Sequence, residues 1–305
     1  MTGPRIGLAL GSGSARGWSH IGVIEALVEA GVEPDVVCGA SIGALVGAAY
    51  CSGKLDKLAK WAKAITWRQV LGLMDVGMSG GGLIDGKPLI KALRSLGVTG
   101  TIEDLERPFA AVATDLATGR EVWFRSGPVL DAVRASIAIP GIFSPVRHAG
   151  QWLLDGGLVN PVPVSLCRAL GADVIIAVNI NGDQLGRWKK DEPVAAAHPR
   201  ERPSRESFTR TLAQLPAALG DQIMQIAPRL MAQHGAPGYF DVLTGAIDIM
   251  QDHITRARLA GEPPHVMLMP RLRGIGLMDY HRAAAAIEEG HAAVADALPA
   301  IRRYL

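Results

Sequence analysis

The sequence predicts an α/β domain built around a largely parallel sheet. Three observations carry this: short apolar runs alternate with helical patterns through the first half, a glycine-rich turn follows the first run and opens a helix, and a G-x-S-x-G joins the second run to the next helix. The 305 residues leave room for one large domain or two small ones with a full core.

The elements follow in order. Residues 6–10 form a first strand. After the glycine turn, Ile21, Ile24, Leu27 and Val28 recur at helical spacing, and Gly31 sits where a helix stop belongs. Residues 35–38 read as a second strand and 42–50 as the next helix, with further strands at 109–113, 121–124 and 174–178. From 183 to about 210 the pattern lapses into prolines and mixed charge, the composition of a solvated loop. Beyond it Phe208, Leu212, Leu215, Leu219, Ile223, Ile226 and Leu230 make a helical stripe broken at Pro216 and Pro228, and a second stripe spans 242–254. A last strand at 265–269 and an Ala-rich helix at 279–297 close the chain. The expected organisation is a catalytic core over 5–182, a variable insertion with amphipathic helices over 183–260, and a C-terminal strand and helix over 261–305 that complete the core. Two readings of the insertion stand side by side: helices packed permanently on the core, which is the plainer one, or a lid over the site mouth that contacts lipid, with Met224, Met231 and Met250 offering flexible apolar surface.

Composition narrows the function classes. Hydrophobic residues make up 49% and charged residues 20%, which argues against disorder; Lys plus Arg number 31 against 29 Asp plus Glu, without the basic bias of a nucleic-acid binder. Three cysteines in apolar or small-residue settings do not make a disulfide framework. No apolar run approaches the roughly 18 residues of a membrane span, and residues 6–10 are too short for a secretory core. The expectation is a cytoplasmic protein, peripheral at most to the inner membrane face.

Three motifs carry chemistry. Gly39-Ala40-Ser41-Ile42-Gly43 stands between a strand and a helix, where a sharp turn presents a strained, exposed serine and small neighbours admit close approach; the plainer reading is a serine N-cap between packing glycines. Gly11-Ser12-Gly13-Ser14-Ala15-Arg16-Gly17 opens a helix with successive backbone N–H groups. These suit a nucleotide phosphate cradle, an oxyanion hole or merely a tight turn. The dinucleotide fingerprint fits poorly, since its last glycine falls one position late and Asp35 begins a strand it should end. Asp155-Gly156-Gly157 follows the apolar Trp152-Leu153-Leu154, either as an ordinary turn or as a carboxylate offered from a rigid strand end to a serine that needs a base. His20, His281 and His291 sit in helices without the setting of a triad histidine, and no cluster has metal-ligand spacing, so neither metal nor cofactor is expected.

Together these motifs resemble the patatin-like phospholipases, and most closely the bacterial cytoplasmic members of the RssA type. The likeness runs through residues 10–23, 39–50, Ala111-Val-Ala-Thr-Asp115, Arg134-Ala-Ser136 with Ile139-Pro-Gly141, residues 155–161, and the C-terminal Asp279-Tyr-His-Arg-Ala-Ala. It implies a three-layer α/β/α fold with a mostly parallel, mixed central sheet, and an esterase acting on phospholipids or lysophospholipids. In that scheme Ser41 is the nucleophile and Asp155 its general base. Gly13 and Ser14, with Ile42, hold the oxyanion; Arg16 orders the loop or contacts phosphate, and Gly11, Gly17, Gly43, Gly156 and Gly157 shape the turns. One departure stands out, because Ser12 and Ser14 replace two of the three glycines of the wider pattern. A serine fits there only if its φ and ψ are permitted. The same dyad would also serve an acyltransferase, or survive as a vestigial site in a regulatory protein.

Overall fold

The computed structural model describes residues 3–67, 69–70, 84–184 and 239–305. In chain order the elements are β1 (Ile6–Leu10), α1 (Ser19–Glu29), β2 (Val36–Ala40), α2 (Ile42–Cys51), α3 (Leu55–Ala64), α4 (Lys87–Leu96), β3 (Phe109–Asp115), β4 (Glu121–Phe124), α5 (Val129–Ser136), β5 (Val146–His148), β6 (Gln151–Asp155), α6 (Val164–Ala169), β7 (Val174–Val178), α7 (Tyr239–Gly261), β8 (Val266–Leu268) and α8 (Ala283–Ile301). The strands form one mixed sheet in the order β5-β6-β3-β2-β1-β7-β8, with β4 pairing β3. Its parallel centre, β3-β2-β1-β7-β8, is flanked by antiparallel β4 and by the β5–β6 hairpin.

The central strands are buried on both faces, as expected when helices cover both sides of a parallel sheet. Successive residues alternate between two apolar layers. Leu8, Leu10, Val37, Ala111, Ile176 and Val178 join the larger layer with α1, α2 and α8, while Ala9, Cys38, Ala110, Val112, Ile175 and Ala177 join the smaller one with α6. This is the α/β domain that the alternating pattern predicts, in the three-layer α/β/α arrangement that the resemblance implies. The terminal helix docks by close backbone approach: a Cβ on Gly22 of α1 would stand 1.9 Å from the Ile287 carbonyl oxygen, and one on Gly290 of α8 would stand 2.1 Å from that of Ser19.

The sequence boundaries shift in places. The second strand runs on to Ala40, because the chain stays extended up to the turn at Ser41. The terminal helix begins at Ala283 rather than 279, since residues 280–282 form a separate 3-10 turn. The stripe over 242–254 lies within the longer α7. The first stripe and the lid reading, over most of 183–260, lie outside the described residues. The chain divides into two compact units, Met1–Leu185 with Met250–Leu305, and Gly186–Ile249. Residues 250–260, read from sequence as part of the insertion, fall in the core unit, where Gln251 donates to Ser12 Oγ and accepts from Asn181 Nδ2.

Candidate active site

Sheet register sets the site. Ala40 at the end of β2 stands opposite Val112 of β3, and Asp155 at the end of β6 stands opposite Ala113. Since β4 occupies the other edge of β3 along residues 111–114, β2 and β6 lie end to end on one edge. The residue after Ala40 therefore meets Asp155. Ser41 Oγ donates a 2.5 Å hydrogen bond to Asp155 Oδ2, although the two residues are 114 positions apart in sequence.

Each partner is held by its surroundings. Ser41 has φ 56° and ψ −124°, a conformation unfavourable for a residue with a Cβ and common only at sites that over-determine it. Its amide donates to Ser136 Oγ (2.9 Å), which in turn donates to the Val112 carbonyl (2.6 Å), so the end of α5 braces the turn. Gly39 and Gly43 are required sterically: an added Cβ would lie 2.3 Å from the Ala44 nitrogen or 2.2 Å from the Leu10 carbonyl oxygen. Asp155 Oδ1 accepts from the Gly157 amide (2.7 Å), its own amide donates to Ala138 (2.9 Å), and its carbonyl accepts from Thr114 Oγ1 (2.7 Å). A Cβ on Gly156 would stand 2.1 Å from the Val112 oxygen, which fixes the turn after the carboxylate. Burial pushes the Asp155 carboxyl up to about 7, against the downward pull of the bonds from Ser41 and Gly157. A carboxylate at that level is a far better proton acceptor than an ordinary aspartate.

The glycine-rich loop reaches the same edge because β1 and β2 are parallel, with Leu10 opposite Gly39. Its amides divide into two sets. Those of Gly11, Ser12 and Ala15 donate to Val178, Pro161 and Leu277, while those of Gly13, Ser14 and Ile42 have no acceptor among the described residues. Ser14 and Ile42 border the same pocket as Ser41, and the Gly13 amide lies next to Ser14 in the chain. A Cβ on Gly17 would overlap Ile42 (2.1 Å), so the loop and the start of α2 pack without a gap. Ser14 occupies the left-handed region, φ 54°, and its hydroxyl lies 2.6 Å from Tyr280 OH. Arg16 is fully buried, which suits the ordering of the loop; no part of its guanidinium is exposed to meet a phosphate.

His20, read from sequence as an ordinary helix residue, also supports this loop. It is fully buried and its Nε2 donates to the Gly11 carbonyl at 2.8 Å. Burial lowers its pKa to about 4, so the ring is neutral at physiological pH. It bonds neither Ser41 nor Asp155, and His291 pairs instead with Glu25 (2.9 Å). Ser136, Thr114 and Tyr280 are the supporting residues that sequence reasoning did not single out as functional. Only their place inside the resembling stretches pointed to them.

The pocket above Ser41 has an empty volume of about 700 Å³, open mouth included. Its walls are almost wholly apolar, with Ile42, Leu45, Trp61, Ile137, Ile142 and Phe143 among them. Among the described residues no group of three or more His, Cys, Asp or Glu side chains is arranged to hold a metal ion.

A strained serine at a strand-to-helix turn, a buried carboxylate on its hydroxyl and amides beside an apolar pocket match what serine-hydrolase chemistry requires. The family model of patatin-like phospholipases matches residues 8–168, and the chain belongs to that family. It is 36% identical to an uncharacterized NTE family protein of Mycobacterium tuberculosis, over 97% of this chain and 92% of that protein. It is 35% identical to the neuropathy target esterase sws of Drosophila melanogaster and 34% identical to the human patatin-like phospholipase domain-containing protein 6. Each of these alignments covers 62% of this chain, but only 14% and 15% of those longer proteins.

Proposed function

We propose that this protein is a serine esterase that cleaves acyl esters of lipids, a phospholipase A or lysophospholipase, through a Ser41–Asp155 dyad and an acyl-enzyme intermediate. Ser41 Oγ attacks the ester carbonyl carbon while its proton passes to Asp155 Oδ2. The carbonyl oxygen gains the negative charge and is met by the N–H groups of Gly13, Ser14 and Ile42. Collapse breaks the bond to the leaving alcohol, which takes the proton from Asp155. Water then attacks the acyl-serine, gives its proton to Asp155, and releases the fatty acid as Ser41 recovers its hydrogen. No histidine enters the scheme.

The observation that carries this reading is the 2.5 Å bond between Ser41 and Asp155 at a backbone turn held in an unfavourable conformation. The apolar pocket supports an acyl chain as the substrate's anchor. Transient contact with a membrane surface belongs to the same reading, because such substrates reside in lipid aggregates. Among the described residues no helix is long and apolar enough to cross a membrane. The motif match at residues 10–23 supports a place beside the RssA-type members and a cytoplasmic setting, and nothing in the chain's charge favours a nucleic-acid partner.

The test is hydrolysis of a panel of phospholipids and lysophospholipids by the wild type, Ser41→Ala and Asp155→Asn. The reading expects fatty-acid release by the wild type and a loss of several decades in both variants. Acyl transfer to an added alcohol in preference to water would make it a transferase. Turnover that survives in Ser41→Ala would overturn the dyad.

A further inference from the structure

We infer that Tyr280 is a positioning residue of the active centre, clamping the oxyanion loop in a conformation its own sequence disfavours. The inference rests on the esterase reading above. Ser14 stands where the wider pattern has glycine and adopts φ 54°, a left-handed conformation that costs a residue with a Cβ roughly 1–2 kcal/mol. Its amide is one of the N–H groups left for the oxyanion, so any relaxation of Ser14 toward the right-handed region turns that donor away. What opposes relaxation is the 2.6 Å bond between Ser14 Oγ and Tyr280 OH.

Tyr280 is itself fixed on three sides. Its ring meets that of Trp18 edge-on at 6.1 Å, its carbonyl accepts from Trp18 Nε1 at 3.1 Å, and three residues upstream the Leu277 carbonyl accepts from the Ala15 amide at 3.1 Å. Burial holds its phenol above the ordinary value, so the hydroxyl stays protonated and able to donate. The clamp comes from the 3-10 turn at residues 280–282, beyond the 8–168 stretch that the family model matches. The loop's other glycine replacement has a similar arrangement: Ser12 Oγ accepts from Gln251 Nε2 (3.1 Å), and Ser12's carbonyl accepts from Asn181 Nδ2 (2.9 Å). Each serine of the loop thus has a partner from the C-terminal half of the chain.

The experiment is a double-mutant cycle on hydrolysis of a p-nitrophenyl acyl ester, with Tyr280→Phe made in the wild type and in Ser14→Gly. In the wild type, Tyr280→Phe should lower kcat about tenfold, equivalent to 1.36 kcal/mol, with KM changed less than about twofold. Ser14→Ala, which removes the same bond from the other side, should show a similar loss. In the Ser14→Gly background, where the left-handed conformation needs no clamp, Tyr280→Phe should cost less than about threefold. Equal losses in both backgrounds, or full activity in Tyr280→Phe, would overturn the positioning role and leave the esterase intact. A folded wild type inactive on every ester would overturn the esterase reading, and this inference with it.

Discussion

Replacing Asp155 with Asn should make the protein worse as an enzyme and relatively more stable at high pH. Burial raises the carboxyl from its ordinary 3.8 to about 7. The folded state therefore keeps a proton that the unfolded chain has already released. The stability associated with that proton is fully present below about pH 3.8 and is lost as pH climbs to 7. From pH 5 to pH 9 the loss amounts to about 3 kcal/mol, at 1.36 kcal/mol per pH unit across the two units below the native pKa. Asparagine has no proton to lose, keeps an oxygen for the Gly157 amide, and can donate to Ser41. Urea unfolding of wild type and Asp155→Asn in parallel at pH 5, 6, 7, 8 and 9 isolates this one group, because every other titration cancels in the difference. The wild type should lose about 3 kcal/mol relative to the variant, mostly below pH 7, with a plateau above pH 8. A difference that stays flat across this range would refute a protonated, desolvated Asp155. Activity of the variant should fall by several decades on the wild-type plateau above pH 8, and by less at pH 5, where most of the wild type is already protonated at Asp155.

Turnover by the wild type should rise with pH to a plateau, with a midpoint near 7, since Asp155 accepts a proton only when ionised; a flat profile from pH 5 to 9 counts against it as base. His20 works in the opposite direction. Its native pKa near 4 lies below 6.5, so stability present above pH 6.5 is lost as pH falls toward 4, by about 3 kcal/mol, and His20→Gln should lack that slope in an unfolding series extended down to pH 4. Ser41→Gly should be about 1 kcal/mol more stable than Ser41→Ala, the relief of the left-handed backbone outweighing glycine's extra freedom when unfolded. Thermal melts that rank alanine above glycine would show that the turn is not strained. Gly43→Ala should fail to fold or lose most of its stability, as circular dichroism would report, because its Cβ would meet the Leu10 backbone at 2.2 Å.

Much of this architecture is legible in the sequence, for local physical reasons. Residues 6–10 and 174–178 are continuous apolar runs because both faces of those strands are covered. The turn at Ser41 shows itself because only small residues fit beside the Ala44 and Leu10 backbone. Asp155 was accessible as a candidate because the apolar Leu153 and Leu154 anchor the end of its strand. Helices α5 and α6 escaped notice because they are short, eight and six residues; α3 and α4 escaped although Leu89, Ile90, Leu93 and Leu96 of α4 recur at helical spacing. Of the hairpin, β6 shows only as the strand end before Asp155, and β5 escaped, since Arg147 and His148 are exposed and no alternation marks it. The supporting contacts lay furthest from view. Ser136 braces Ser41 from 95 positions away and Tyr280 reaches Ser14 across 266, distances over which a single sequence carries no spacing signal.

The proposed function turns on Ser41, activated by Asp155, acting as the nucleophile. The most direct measurement is intact mass and peptide mapping after treatment with a fluorophosphonate. A single adduct is expected on Ser41 in the wild type, none in Ser41→Ala, and labelling slowed by decades in Asp155→Asn. An adduct that persists in Ser41→Ala, or a folded wild type that takes none, would contradict it.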